Sequence, residues 1–280
     1  MERIMFDTGL AAVLLAEIQP ISYLGLAFVY LIMLFPIAIV LFLKLKMFKD
    51  IFIAVIRMSV QLFLIGFVLI ALFKWNNAGL NVLWLFIMVL FATFSVFRNS
   101  NLRVRYFTFP ILFSLMTASF LVIMYFNGLI LGIQNVFDAK YLIVLSGMIL
   151  GNSMRGTIVA LNSFYKDIHR NEDRYFYQIA HGATIFEAVK PYFRSALKSA
   201  LRPNIAVMST LGIVSLPGMM AGQILGGAST EEAIKYQIAV MTAIFTSVSL
   251  TVGSALLLTM RTSFDDFGIL RKNIFKMDEN

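Results

Sequence analysis

The fold class this sequence predicts is all-α: a polytopic integral membrane protein of about seven transmembrane helices, N-terminus outside and C-terminus cytoplasmic. Three observations predict it. Hydrophobic residues make up 60% of the 280-residue chain and the mean hydropathy is +0.84, against an apolar share of roughly 45–50% in soluble domains. The apolar residues gather into seven stretches, each near the roughly 20 residues of helix that cross a hydrocarbon core of about 30 Å. Basic residues collect in alternate connections between those stretches. Helices are predicted rather than barrel strands because a lone chain in lipid must satisfy its backbone internally, and nothing here alternates with a strand's period.

Taken in order, the predicted spans are Ile21 to Leu43, Ile51 to Phe73, Val82 to Phe97, Tyr106 to Phe126, Tyr141 to Tyr165, Ile205 to Leu225 and Tyr236 to Met260. The third is short and extends towards Asn81 and Arg98. Ahead of the first span, Met1 to Pro20 is weakly amphipathic, with Glu2, Asp7 and Glu17 among apolar residues, which fits either an interfacial segment or a tail. It carries Arg3 but no short apolar core with a small-residue cleavage site, so no cleaved signal peptide is predicted. One set of connections holds 17 Lys and Arg residues, the other 4. The rich side, which includes Lys44, Arg98, Lys166 and Arg261, reads as cytoplasmic. The same rule explains the net charge of +8 without nucleic acid.

The outer connections, Trp75 to Asn81, Asn127 to Lys140 and Gly226 to Lys235, are too short for an ectodomain. The one long connection runs from Lys166 to Arg202 and reads as a helical cytoplasmic arm, broken at Gly182 and again at Pro191 and Pro203. Within it, Thr184 with Glu187 three positions on forms a capping box for a new helix. No composition shift divides the chain, so 1–280 is read as a single domain with the arm at about 166–202. An odd span count argues against a simple inverted repeat.

None of the seven spans contains Asp, Glu or His, the residues that proton relays and sodium sites use. There is also no cysteine, so thiolate metal sites and a Cys nucleophile are excluded. A gradient-driven carrier or a membrane-embedded enzyme is therefore disfavoured, and no metal site and no catalytic residue is predicted. Two charges remain inside, Arg57 with Gln61 one turn on, and Arg155 three residues after Asn152. Two readings are open: snorkelling to the headgroups, or a polar substrate pathway formed by Arg57, Gln61, Asn152, Ser153, Met154, Arg155, Met219 and Met220. Paired arginines would repel a bare cation and tolerate an anionic or chelated one.

Gly147 with Gly151, and Gly218 with Gly222 and Gly226, carry the four-residue spacing that lets helices approach closely. Pro217 cannot donate to the Ile213 carbonyl and, beside Gly218, predicts a kink or break in the sixth span. Met148, Met154, Met208, Met219 and Met220 cluster in the same spans, as packing residues or as transient soft contacts. Gly151 to Gly156 has the spacing of a phosphate loop, but Thr157 stands where Lys is required, so no ATP site is predicted. His169 and His181 lack a partner at metal-ligand spacing.

The runs GMILGNSM, HGAT, GIVSLPGMMAGQILGG and AIKYQIAVM (Ala233 to Met241) together resemble the FetB-like permeases of ABC transporters, a family that includes plant proteins linked to aluminium tolerance. The resemblance covers most of the chain, from Arg57 and Gln61 to the last span. It implies a permease of the bacterial inner membrane without its own nucleotide site, paired with a separate cytoplasmic ATPase that uses MgATP, and exporting iron. It implies two permease copies with two ATPase subunits. His181, Gly182, Ala183, Thr184 and Glu187 then take the place of the segment that couples to the ATPase. Related loops carry a Glu five or six residues before the Gly, where this chain has Tyr177 and Phe176. A non-metal cargo such as a nucleotide sugar is the alternative within the family; a nontransporting scaffold is the alternative outside it.

Overall fold

The computed structural model describes residues 21–100, 104–265 and 268–271. The interfacial reading of Met1 to Pro20 falls outside them. Ten α-helices are described: α1 (Tyr23–Ile32), α2 (Leu34–Phe42), α3 (Phe48–Trp75), α4 (Ala78–Asn99), α5 (Val104–Tyr125), α6 (Ala139–Arg170), α7 (Glu172–Ala180), α8 (Ile185–Thr210), α9 (Gly218–Leu225) and α10 (Thr230–Ser263). Six helical stretches among the described residues are long and apolar enough to cross a membrane: Tyr23–Phe42, Phe48–Trp75, Ala78–Asn99, Phe107–Ile130, Ala139–Arg170 and Thr230–Ser263. They correspond to six of the seven predicted spans.

The seventh, Ile205 to Leu225, is not one helix. Its first part is the end of α8 and its last part is α9, with residues 211–217 between them outside any helix. The predicted break at Pro217 therefore begins earlier, at Leu211, whose ψ of 137° leaves the helical path, with Gly212 following at φ +84°. The Gly212 N–H donates to the Ser215 carbonyl (3.0 Å) and the Thr210 carbonyl accepts from Val214 (3.0 Å). Irregular backbone at membrane depth needs this internal satisfaction.

The described chain divides into two compact units, one within Met1–Trp75 and Ala221–Ala233, the other within Asn76–Met220 and Ile234–Asn280. In the first, α1 and α2 are nearly continuous and separate at Met33, because Pro36 has no N–H to give the Ile32 carbonyl. The side chains of α1 to α3 are predominantly apolar and mostly exposed, the pattern of helices solvated by hydrocarbon. Ser59 donates to the Val55 carbonyl (2.9 Å), which leaves the Tyr30 hydroxyl to donate to Ser59 Oγ (2.6 Å).

The second unit is organised around α6. Leu142, Leu145, Ile149, Ser153, Gly156, Ala160, Phe164 and Ile168 are buried along it, a spacing of three and four that keeps one stripe inward. α4 brings Leu85, Val89, Ala92 and Val96 to the same core, and α8 brings Ala188, Tyr192, Ala196 and Ala200. Both helices pack on α6, and the alanines of α8 at four-residue spacing bring its backbone close.

Two predicted breaks in the arm do not occur. Pro191 and Pro203 lie inside α8, which runs unbroken for 26 residues. Each proline removes one bond to the carbonyl four residues back, but burial of the alanine stripe between them holds the helix together. The arm is consequently packed rather than free.

Among the glycines, the closest approach of a neighbouring helix is at Gly156 and not at the predicted positions. A Cβ at Gly156 would stand 2.8 Å from Val248 Cγ1 and 3.4 Å from Val252 Cγ2, whereas at Gly151, Gly218 and Gly222 it would meet nothing within 4 Å, and at Gly147 only Met88 Cε at 3.7 Å. One turn before Gly156, Ser153 and Ser247 share a buried hydrogen bond of 3.1 Å. Val248 is β-branched and stiff at χ1, so it cannot swing aside. Gly156→Ala is expected to lower stability by about 1–3 kcal/mol through overpacking, while Gly151→Ala leaves stability unchanged or raises it by up to about 1 kcal/mol through helix propensity. Thermal unfolding of the two variants in detergent checks this contrast.

Candidate functional site

Three regions of the second unit carry the predicted site residues, and a fourth lies on α3. The first region is the joint between α7 and α8. Gly182 adopts φ +87°, a left-handed conformation that ends α7 and that a side chain resists even though the space around it is open. The Gly182 N–H donates to the Ile179 carbonyl (3.0 Å) and Ala183 to Gln178 (3.1 Å), closing the last turn of α7. α8 then starts with the predicted capping box. Thr184 Oγ1 accepts from the Glu187 N–H (3.3 Å), and Glu187 Oε2 accepts from the Thr184 N–H (2.8 Å) and from its hydroxyl (2.8 Å). Those bonds, from the backbone first and then from the side chain, hold the Glu187 carboxyl below its ordinary range.

His181 is exposed and stacks on Tyr177 with ring centroids 4.0 Å apart; its Nδ1 lies 2.7 Å from the Tyr177 carbonyl oxygen. Tyr177 therefore packs on the joint itself. His169 pairs instead with Glu172, Nδ1 to Oε1 2.6 Å, beside the positive end of α7. Among the described residues no cluster of three His, Cys, Asp or Glu is placed to hold a metal.

The second region is a cavity of about 570 Å³ between the 211–217 break and α10. Met208, Pro217 and Met220 line one side, Gln237, Met241 and Thr242 the other. Met219, its predicted neighbour in the pathway, is half-buried against the core. The hydroxyl of Thr242 is engaged by the Ile238 carbonyl (2.9 Å), but Gln237 Oε1 is buried without a hydrogen-bond partner among the described residues. A buried amide oxygen without a donor is a place for a ligand or water. Gln237 and Met241 were not among the predicted site residues, although both lie in the AIKYQIAVM run, where Gln237 is the one amide in an apolar helix. The break also turns Ile213 and Val214 outward, 91% and 77% exposed.

The third region is on α6, where the predicted residues diverge. Arg155 Nη2 donates to Asn152 Oδ1 (3.0 Å), and Asn152 Nδ2 donates to the Met148 carbonyl (2.8 Å). This pair forms one outward polar face. Ser153 points the other way, into the contact with Ser247, and Met154 packs partly against the core. At about 100° per residue, four consecutive positions cannot share a face. On α3, Arg57 and Gln61 are exposed one turn apart. Of the predicted packing glycines, Gly226 follows α9 and its N–H donates to the Gly222 carbonyl (2.9 Å).

Comparison with known proteins follows the same residues. The profile of the Uncharacterised protein family (UPF0014) matches residues 23–264. The chain is 28% identical over 253 residues to UPF0014 membrane protein YjkA of Bacillus subtilis (strain 168), spanning 90% of this chain and 99% of that one. It is 31% identical over 227 residues to the "Probable iron export permease protein FetB" of Escherichia coli (strain K12), at 79% and 84% coverage. It is 30% identical over 227 residues to Protein ALUMINUM SENSITIVE 3 of Arabidopsis thaliana, at 80% and 81%. No solved structure matches the chain. With six helices of membrane-crossing length and relatives named as membrane proteins, the chain is a multi-pass membrane protein.

Thr184→Ala removes the cap of α8 and is expected to cost about 1 kcal/mol, read as faster hydrogen exchange at the Glu187 amide. The contribution of Glu187 has a pH dependence of known sign. Its folded pKa is depressed, so its stabilisation is complete above the unfolded carboxylate range and fades as pH falls through the lower folded value. Exchange at the Thr184 amide, corrected for its intrinsic rate, is expected to lose protection only on the acid side of that range.

Proposed function

Because this chain belongs to the UPF0014 family, we propose that it is the membrane permease of an ABC transporter and exports iron, or another metal or metal conjugate, from the cytoplasm. A separate cytoplasmic ATPase supplies the energy from MgATP, and this chain has no nucleotide site of its own. Two copies act with two ATPase subunits in a bacterial inner membrane, with the N-terminus outside and the joint at 181–184 facing the cytoplasm. The iron assignment is taken from the name of the Escherichia coli relative.

The observation that carries the reading is the continuity of α8. A single helix of 26 residues, about 39 Å at 1.5 Å per residue, starts at the exposed, capped joint and ends at the break that walls the cavity. A push on His181, Gly182, Ala183 and Thr184 by an ATPase is thereby delivered to Met208 and the 211–217 segment without an intervening hinge. Pro217 and Gly218, where the break meets α9, are where α9 can swing. The absence of carboxylates and histidines from the predicted spans supports an external energy source.

A second cargo class has its own support. The Arg155–Asn152 face presents a guanidinium held in place by one amide oxygen, a group that suits an anionic conjugate such as a nucleotide sugar better than a bare cation.

Inverted membrane vesicles with this chain and its ATPase are expected to take up radiolabelled iron when given MgATP and not with a hydrolysis-dead ATPase. ATP hydrolysis stimulated by the chain without iron uptake discards iron and keeps the permease; no effect of the chain on hydrolysis or uptake discards both. Gly182→Leu, which forces a side chain into the left-handed region at a cost of about 1–2 kcal/mol, is expected to insert normally and to lose ATP-driven transport. Transport equal to the parent's would remove the joint from the mechanism.

A further inference from the structure

Beyond α8, a second path leads from the joint. Tyr175 on α7 is buried, and its hydroxyl donates to the Gly268 carbonyl at 2.6 Å. Its ring lies 5.7 Å from that of Phe264, the residue directly after α10. Gly268 sits at φ +76°, and a Cβ there would touch Ile185 Cγ1 (3.4 Å), Tyr175 Oη (3.5 Å) and Ile179 Cδ1 (3.8 Å). Those neighbours belong to the end of α7 and the first residue of α8, on either side of the joint.

The stretch that carries Gly268 is itself tied back to α10. Phe264 pairs with Leu270, the Arg271 N–H donates to the Ser263 carbonyl (3.0 Å), and the Gly268 N–H donates to the Asp265 carbonyl (3.0 Å). Ser263 Oγ in turn donates to the Thr259 carbonyl (2.6 Å) within α10 and lies 2.5 Å from the Tyr165 hydroxyl of α6. Further along the same unbroken helix stand Gln237 and Met241, on the cavity wall opposite α8. Both walls of the cavity thus trace back to one joint, by α8 directly and by α10 through the Tyr175–Gly268 contact.

We infer that Tyr175 is a positioning residue that clamps the end of α10 to the α7–α8 joint, so that displacement of the joint moves both walls of the cavity together. The inference rests on the proposed permease reading. The geometry gives a reason for two walls to be driven. If α8 alone moved, it would slide along a static α10, and the cavity would shear instead of opening or closing. Burial, and then the Asp265 carboxylate nearby, pushes the Tyr175 hydroxyl up to about 12, so it remains a donor across the physiological range and the clamp does not titrate there. Tyr175→Phe removes the bond and keeps the ring in its slot.

The chain has no cysteine, so labels can be placed freely. Spin labels at Met208→Cys and Ile238→Cys, both exposed and one on each wall, report the width of the cavity in the full chain with its ATPase in lipid nanodiscs. In the parent, trapping the ATPase with MgATP and vanadate is expected to shift the distance between labels. In Tyr175→Phe the shift is lost, while complex assembly and ATP hydrolysis persist. Gly268→Ala, which strains the left-handed backbone that presents the acceptor carbonyl while keeping the Tyr175 hydroxyl, is expected to give the same loss and serves as the second variant. A shift in Tyr175→Phe and in Gly268→Ala equal to the parent's overturns the clamp and leaves the permease reading standing. A parent complex whose labels do not respond to nucleotide overturns the permease reading itself, and the clamp with it.

Discussion

The inward stripe of α6 is the surface on which the second unit depends, with α4 and α8 packed on it and α10 in close approach at Gly156. With no side chain between them, Val248 and Val252 settle against the α6 backbone, and the Ser153–Ser247 bond one turn away sets the register. In a bilayer there is no gain from hiding apolar surface from water, because lipid is as apolar as the core. Close van der Waals packing and a few interhelical hydrogen bonds must hold helices together. The stripe from Leu142 to Ile168 then serves as the post against which α4 and α8 pack.

A second constraint is backbone satisfaction at the break. Leaving a helix inside a hydrocarbon layer exposes carbonyls that have no donor. Here the Val207 carbonyl accepts from the Leu211 N–H and the Thr210 carbonyl from the Val214 N–H, while the Gly212 N–H donates to the Ser215 carbonyl. The break thus meets part of its backbone demand locally, and it opens a cavity whose lining is mostly apolar, with methionines and one unpartnered amide oxygen. Flexible thioethers on such a wall adapt to a changing shape at low cost.

The joint and the cavity are connected by length rather than by adjacency. α8 can act as a lever only because it survives two prolines, and it survives because Ala188, Ala196 and Ala200 are buried along its inner face. Those alanines fasten the arm to the rest of the unit in the fold.

The sequence by itself determined the membrane class, six of the helical stretches, the interruption near Pro217, the stop at Gly182 and the capping box at Thr184 and Glu187. These are local: span length, left-handed glycine, a missing N–H and a three-residue side-chain reach are all set by neighbours in the chain. The continuity of α8 was not legible, since a proline's local cost is visible and the packing that outweighs it is not. Nor was the choice of Gly156 over Gly147 and Gly151, because spacing shows which glycines could approach a helix, and only the position of Val248 decides which one does. Gln237 and Met241 reached the cavity, and Gly268 reached Tyr175, through the folding back of α10 and the chain after it. Such contacts join residues far apart in sequence, so the tertiary structure alone decided them.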